Sequence, residues 1–198
     1  MEALLIIDVQ NDFCKDGALE VKEGETIIPA INKLMDSFNL VVATQDSHPK
    51  GHKSFASTHS LNVGEIIKLG EINQFLWPDH CVKESKGEEF YPTLEIKKID
   101  KIFKKGENIE VDSYSGFFDN DKKSQTGLDN FLKEKNVTSL TVVGLALDYC
   151  VKFTAIDAKS LGYDVTVISS MTKAVNISPN DGLKSIEEMK NLGIKIKD

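Results

Sequence analysis

Apolar and polar positions follow two different periods along this chain. The run "ALLIIDV" (3–9) is apolar until Asp8, the pattern of a parallel strand covered on both faces. Over 26–38 the period changes, and Ile27, Ile31, Leu34 and Phe38 recur at helical spacing. "LVVATQ" (40–45) is the next apolar run, followed by a long polar loop and a weaker strand in "KIFKKG" (101–106). "TGLDNFLKEK" (126–135) reads as a helix with Leu128, Phe131 and Leu132 inward, and "SLTVVGL" (139–145) as a strong strand. After Cys150, one helical face carries Val151, Ala155, Ala158 and Leu161 and is ended by Gly162, before a fifth strand in "YDVTVIS" (163–169). A last helix bears Leu183, Ile186, Met189 and Leu192, is closed by Gly193, and precedes a sixth strand in "IKIK" (194–197).

Six strands with helices between them predict an α/β fold: a doubly wound, mostly parallel six-stranded sheet with helices on both faces, one domain over 1–198. The segment 62–76, with Ile66, Ile67 and Leu69, is either a short helical lid or an insertion packed against the body. In such a sheet ligands gather at the carboxyl ends of the strands. Asp8 ends the first strand, Asp46 follows the second, Lys105 ends the third and Cys150 follows the fourth. Each alone has an ordinary use, as a turn cap, a solvated lysine or a small core filler. Together they supply a nucleophile, an acid/base and a cation, the set that acyl transfer through a thioester needs. A helix N-terminus and a nearby ammonium both favour the thiolate, so Cys150 is expected to ionise readily. Asp8 would then carry its proton, and the turn at 144–147 would aim backbone N–H groups at an oxyanion.

Composition narrows the partners. A net charge of -7 with no uncompensated basic block leaves no footprint for nucleic acid or an anionic membrane. The opening apolar run stops at Asp8, too soon for a signal or spanning helix, which gives cytoplasmic as the expected location. Three dispersed cysteines without a CxxC spacing argue against a disulfide framework or a thiolate zinc site, and no glycine-rich nucleotide fingerprint occurs. All four histidines lie between 48 and 80. Asp46 and His48 on one loop, joined by His80, would give one carboxylate and two imidazoles with open positions, a set that suits zinc, iron or manganese; the alternative is polar loop histidines. His52 is either a further ligand or a group bonded to bound water. His59 reads as a surface or supporting residue, and Cys81 as a buried structural thiol.

Five blocks carry a resemblance: "LLIIDVQNDF" (4–13), "ATQDSHP" (43–49), "WPDHCV" (77–82), "KKGENIEVDSYSGF" (104–117) and "GLALDYCVKFTA" (144–155). In this order over nearly the whole chain they resemble the nicotinamidase branch of the isochorismatase-like cysteine hydrolases. The resemblance implies a Rossmann-like strand order 3-2-1-4-5-6 and a catalytic triad of Asp8, Lys105 and Cys150. It implies that Asp46, His48 and His80 hold one divalent ion, zinc first and Fe2+ or Mn2+ as alternatives, whose open face takes a pyridine nitrogen. It places Phe13 and Trp77 about the ring, Tyr114 in the pocket wall, Ala146 and Leu147 at the substrate, and the N–H groups of Ala146 and Cys150 in an oxyanion hole. A cis peptide is expected between Ala146 and Leu147. The chain departs from many members in having Leu147 where they have Thr, and from some in having Tyr149 where they have His. The implied reaction takes nicotinamide to nicotinate and ammonia within NAD salvage, with NAD downstream and not a cofactor. Two readings stand beside it: another isochorismatase-like hydrolase, acting on isochorismate, an N-carbamoyl compound or ureidoacrylate, or a non-catalytic thiol redox sensor. A homo-oligomer is open on the base rate alone.

Overall fold

The computed structural model describes all residues from 1 to 198. Eight strands form: β1 (Glu2–Ile7), β2 (Val41–Asp46), β3 (Ile66–Leu69), β4 (Ile72–Phe75), β5 (Lys101–Lys105), β6 (Ser139–Leu145), β7 (Asp164–Lys173) and β8 (Lys195–Lys197). The helices are α1 (Ile28–Met35), the single turn α2 (Ala56–His59), α3 (Leu128–Glu134), α4 (Lys152–Ser160) and α5 (Asp181–Asn191). Six strands make one sheet in the order β5-β2-β1-β6-β7-β8, every neighbouring pair parallel. Counted within that sheet, this is the 3-2-1-4-5-6 order.

β1 shows why the central strands read as uninterrupted apolar runs. Ala3, Leu5 and Ile7 join the core cluster that contains Leu128, Leu132, Ala155, Ala158 and Met189, contributed by α3, α4 and α5. Leu4 and Ile6 join the other cluster with Ile28, Ile31 and Met35 of α1. With helices on both faces, alternation has no solvent side to report. The edge strand β5 reads more weakly because Lys101, Ile102 and Lys104 are exposed while Lys105 is buried. The first helix is shorter than its apolar spacing suggests. A 3-10 turn at Gly24–Ile27 precedes α1, Pro29 sits in the first turn of α1, and Phe38 lies beyond its end. Strand β7 runs on to Lys173 because its pairing with β6 slips between Val142 and Gly144. Gly144 is required there: at φ +115 a Cβ would lie 2.1 Å from the Ile7 carbonyl oxygen.

The 62–76 segment is not helical. β3 and β4 form an antiparallel hairpin turned at Gly70, with Ile66 66% exposed. Its return limb is what anchors it, since Gln74 and Leu76 are buried. No helix is long and apolar enough to cross a membrane.

Candidate active site

The strand order reverses between β1 and β6, and the residues at the carboxyl ends of β1, β2, β5 and β6 meet there. Asp8 leaves β1 with a left-handed φ of 45, a conformation rare for a side-chain-bearing residue, and its carboxylate is fully buried. Asp46 and Lys105 are register partners at the ends of β2 and β5. The ladder therefore sets the carboxylate and the ammonium side by side before any side-chain choice is made.

Lys105 is the hub. Its Nζ lies 2.9 Å from Asp46 Oδ1, 3.0 Å from Asp8 Oδ2 and 3.5 Å from Cys150 Sγ, and donates to the Ser113 carbonyl at 2.9 Å. Thr44 donates to Asp8 Oδ1 at 2.7 Å, whereas Asp8 Oδ2 receives no aligned hydrogen bond despite the nearby ammonium. Burial would discharge Lys105, but Asp46 and Asp8 hold it firmly protonated. Burial likewise opposes ionisation of Asp46, yet His48 and Lys105 keep it well below the usual carboxylate range. Asp8 is raised, because its burial outweighs the attraction of Lys105.

Cys150 departs from the expectation. Burial pushes the thiol well above its ordinary value; Lys105 works against this, but Asp8 and Asp46 add to it. Cys150 sits in the five-residue π turn Leu147–Val151 that leads into α4. The cis peptide is one residue earlier than expected, between Leu145 and Ala146.

A second group abuts the first. Oδ2 of Asp46 is 2.9 Å from His48 Nε2 and 3.4 Å from His80 Nε2, and the three donor atoms all lie within 4.8 Å of one another. The loops are zipped by a short parallel bridge in which His48 N–H donates to the Cys81 carbonyl at 2.9 Å and Lys83 N–H to the His48 carbonyl at 2.8 Å. Each ring donates its Nδ1 proton to a carbonyl, His48 to Gly106 at 3.0 Å and His80 to Pro78 at 2.8 Å. With both Nδ1 atoms committed to carbonyls, the two Nε2 atoms converge on one carboxylate oxygen; burial opposes a proton on His48 but Asp46 favours one, so a positive charge, whether proton or metal ion, belongs among the three atoms. The donor set fits a divalent cation of the zinc, iron or manganese type. Gly106 brings its carbonyl this close only because it lacks a side chain, a Cβ being 2.5 Å from His48 Cε1.

His52 does not join the trio. Its Nδ1 pairs with Ser54 Oγ and its Nε2 with the Asn108 carbonyl, both at 2.8 Å, so neither nitrogen is free; its ring lies tilted against that of His48, the centroids 4.4 Å apart. His59 bonds the Lys53 carbonyl away from the site. Cys81 is fully buried.

The two groups share one cleft. Phe13, Trp77, Tyr114, Ala146 and Cys150 line it as expected, with Asp46 and His80 at its polar end. Trp77 is held by an indole N–H that donates to Tyr114 Oη at 3.0 Å and by an edge contact with Tyr149 at 4.8 Å. Leu147 is a correction: its side chain belongs to the apolar core and faces Gly182 at the start of α5, not the cleft. Leu19, Asp112, Tyr149 and Val175 line it in addition. Asp148 ties this wall to the turn that carries Cys150 by accepting the N–H groups of Val175 and Asn176 at 2.9 and 2.8 Å. Gln10 clamps Asp46 from both sides, receiving its N–H and donating to its carbonyl, each at 2.8 Å. A lone glutamine two residues past Asp8 carries no sequence signal for that main-chain role.

Comparison with known proteins adds three findings. The family model described as the isochorismatase domain matches residues 2–197. The nicotinamidase of Escherichia coli is 46% identical over 195 residues, covering 96% of this chain and 92% of that protein. Among solved structures, the yeast nicotinamidase bound to the inhibitor nicotinaldehyde superposes with a TM-score of 0.95 at 32% identity over 100% of both chains. The pyrazinamidase of Pyrococcus horikoshii in complex with zinc gives 0.80 at 34% identity, covering 98% of this chain and 97% of the other.

Proposed function

This chain belongs to the isochorismatase family, and from that footing we propose that it hydrolyses nicotinamide to nicotinate and ammonia, with Cys150 as nucleophile. The observation that carries the reading is the position of one ammonium, Lys105 Nζ, at 3.0 Å from Asp8 Oδ2 and 3.5 Å from Cys150 Sγ inside an aromatic-walled cleft. Relatives over nearly the whole chain bear that activity in their names, and one holds a pyridine aldehyde.

Phe13, Trp77 and Tyr114 form the walls that receive a flat ring. A divalent cation on Asp46, His48 and His80, zinc in first place, supplies a Lewis-acidic anchor for the ring nitrogen. With the carboxamide carbon against Sγ, Asp8 Oδ2 accepts the thiol proton as the S–C bond forms, and Lys105 stabilises the charge left on this side of the site. The N–H groups of Ala146 and Cys150 face the developing oxyanion. Asp8 then returns its proton to the departing nitrogen, the C–N bond breaks, and ammonia leaves a thioester. A water molecule gives a proton to Asp8 while its oxygen adds to the thioester carbon; the C–S bond breaks and sulfur regains the proton. The raised affinity of Asp8 for a proton suits this two-way traffic. The product would enter NAD salvage.

Replacing Cys150 by Ala tests the assignment. Ammonia release from nicotinamide should fall to background while the variant still binds the amide, and wild-type enzyme quenched in acid during turnover should carry one nicotinoyl group on Cys150. Ammonia release retained by Cys150→Ala would refute the nucleophile.

A further inference from the structure

We infer that Asp112 is a working carboxylate of the cation site, held in place by Gln74 of the β3–β4 hairpin, so that the hairpin governs how tightly the site keeps its ion. The inference rests on the reading of Asp46, His48 and His80 as a divalent-cation site.

Asp112 is 3% exposed and lines the cleft beside Asp46 and His80. No lysine or arginine pairs with it; its one ionic neighbour is His48 Nε2, 4.0 Å from Asp112 Oδ1. With Nδ1 committed to the Gly106 carbonyl, Nε2 is the nitrogen that faces the carboxylates of Asp46 and Asp112. Two neutral donors reach the carboxylate, Ser113 N–H on Oδ1 at 2.8 Å and Gln74 Nε2 on Oδ2 at 3.2 Å, fewer than its lone pairs can accept. A buried carboxylate so sparsely matched calls for positive charge nearby. The balance agrees. With Asp8 ionised to act as base, the site holds the carboxylates of Asp8, Asp46 and Asp112 against the single ammonium of Lys105. The carboxylates outnumber the ammonium, and a cation among the histidines offsets that excess.

Asp112 falls outside the trio of clustered donor atoms, so its part is that of an outer acceptor for groups the ion carries, the kind of support whose loss weakens metal sites. Its aim depends on the hairpin. Gln74 is buried although β3 is mostly exposed, and its amide nitrogen donates to the Phe75 carbonyl at 2.7 Å as well as to Asp112. Asp112 also has a structural task, but that belongs to its main chain, whose carbonyl accepts Asn120 N–H at 2.8 Å and survives a change to Asn.

The test strips the full-length protein with a chelator and titrates Zn2+ in competition with a chromophoric chelator. The set is wild type, Asp112→Asn, Gln74→Leu and, as a control on the same loop, Glu110→Gln. Asp112→Asn should bind Zn2+ roughly 10–100-fold more weakly. Gln74→Leu should lose affinity in the same direction by less, and the control should match wild type, with the circular dichroism spectra of the ion-free proteins showing that every variant is folded. Wild-type affinity in Asp112→Asn, or in Gln74→Leu should the first variant fail to fold, overturns the inference and leaves the trio standing. Failure of the wild type to take up one equivalent of Zn2+ overturns both.

Discussion

Replacing Lys105 by Met keeps the length of the side chain and removes the one ammonium that faces Asp8 and Asp46 at 3.0 and 2.9 Å. At an effective dielectric of about 20, each contact is worth roughly 5 kcal/mol of Coulomb attraction, most of it offset by desolvating the charges. Deleting one partner of a buried pair forfeits the attraction while the desolvation remains, and costs about 3–5 kcal/mol. The loss has a sign in pH. Asp46 is held below its ordinary value, so its contribution is present above the carboxylate range and is lost as pH falls through its depressed value. Asp8 is raised, so its ionisation already costs stability at neutral pH, and more so without Lys105. Both carboxylates therefore make the deficit large at neutral pH; it shrinks as pH falls below the ordinary carboxylate range and is small only once Asp46 too is protonated, at its depressed value. With a urea slope of about 2 kcal/mol/M, the unfolding midpoint should drop by about 2 M at neutral pH, measured by circular dichroism in the presence of a chelator. Equal midpoints, or the same deficit in neutral and acidic buffer, would show that Lys105 acts through its alkyl chain, and the electrostatic account would fail.

Gly106→Ala places a Cβ 2.7 Å from His48 Nδ1 at φ +70, so the left-handed backbone and the overlap should together cost about 2–5 kcal/mol and lower zinc content. An unchanged melting temperature would count against that close approach. Native-state alkylation should mark Cys150 alone: burial, with Glu25 and Glu20, pushes Cys14 up to about 12, and burial lifts Cys81 well above its ordinary value. Cys150 is raised too, but it lines the cleft beside a carboxylate able to take its proton. Peptide mass mapping reads the outcome, and label on Cys14 in folded protein would contradict it.

The sheet was legible because its central strands bury both faces, leaving unbroken runs at 3–7 and 139–145 that no surface helix would show. The hairpin was not, because Ile66 lies in solvent and the pairing of β3 with β4 is local, so apolar spacing carries no core signal. Asp8, Asp46, Lys105 and Cys150 stood out by lying at strand ends, where the topology gathers side chains. Gln10 was silent since it works on the main chain of Asp46, and Asp112 since its neighbours His48 and Gln74 are distant in sequence. The balance of forces on the Cys150 thiol was out of reach as well. Proximity to Lys105 favours ionisation, and only the depth of burial and the second carboxylate reverse the balance.

Asp46 gives the site its coupling. One carboxylate serves both groups, Oδ1 bonded to Lys105 and Oδ2 facing His48 and His80. Charge placed among the histidines withdraws electron density from the same group that holds the ammonium, so the ion and the lysine compete for one anion. Lys105 then shifts its attraction toward Asp8 and Cys150, its two remaining charged or ionisable neighbours. Since β2 and β5 are in register at Asp46 and Lys105, neither partner can retreat without breaking ladder hydrogen bonds. A cation held at the histidine end would therefore be felt at the thiol end through the single side chain of Asp46.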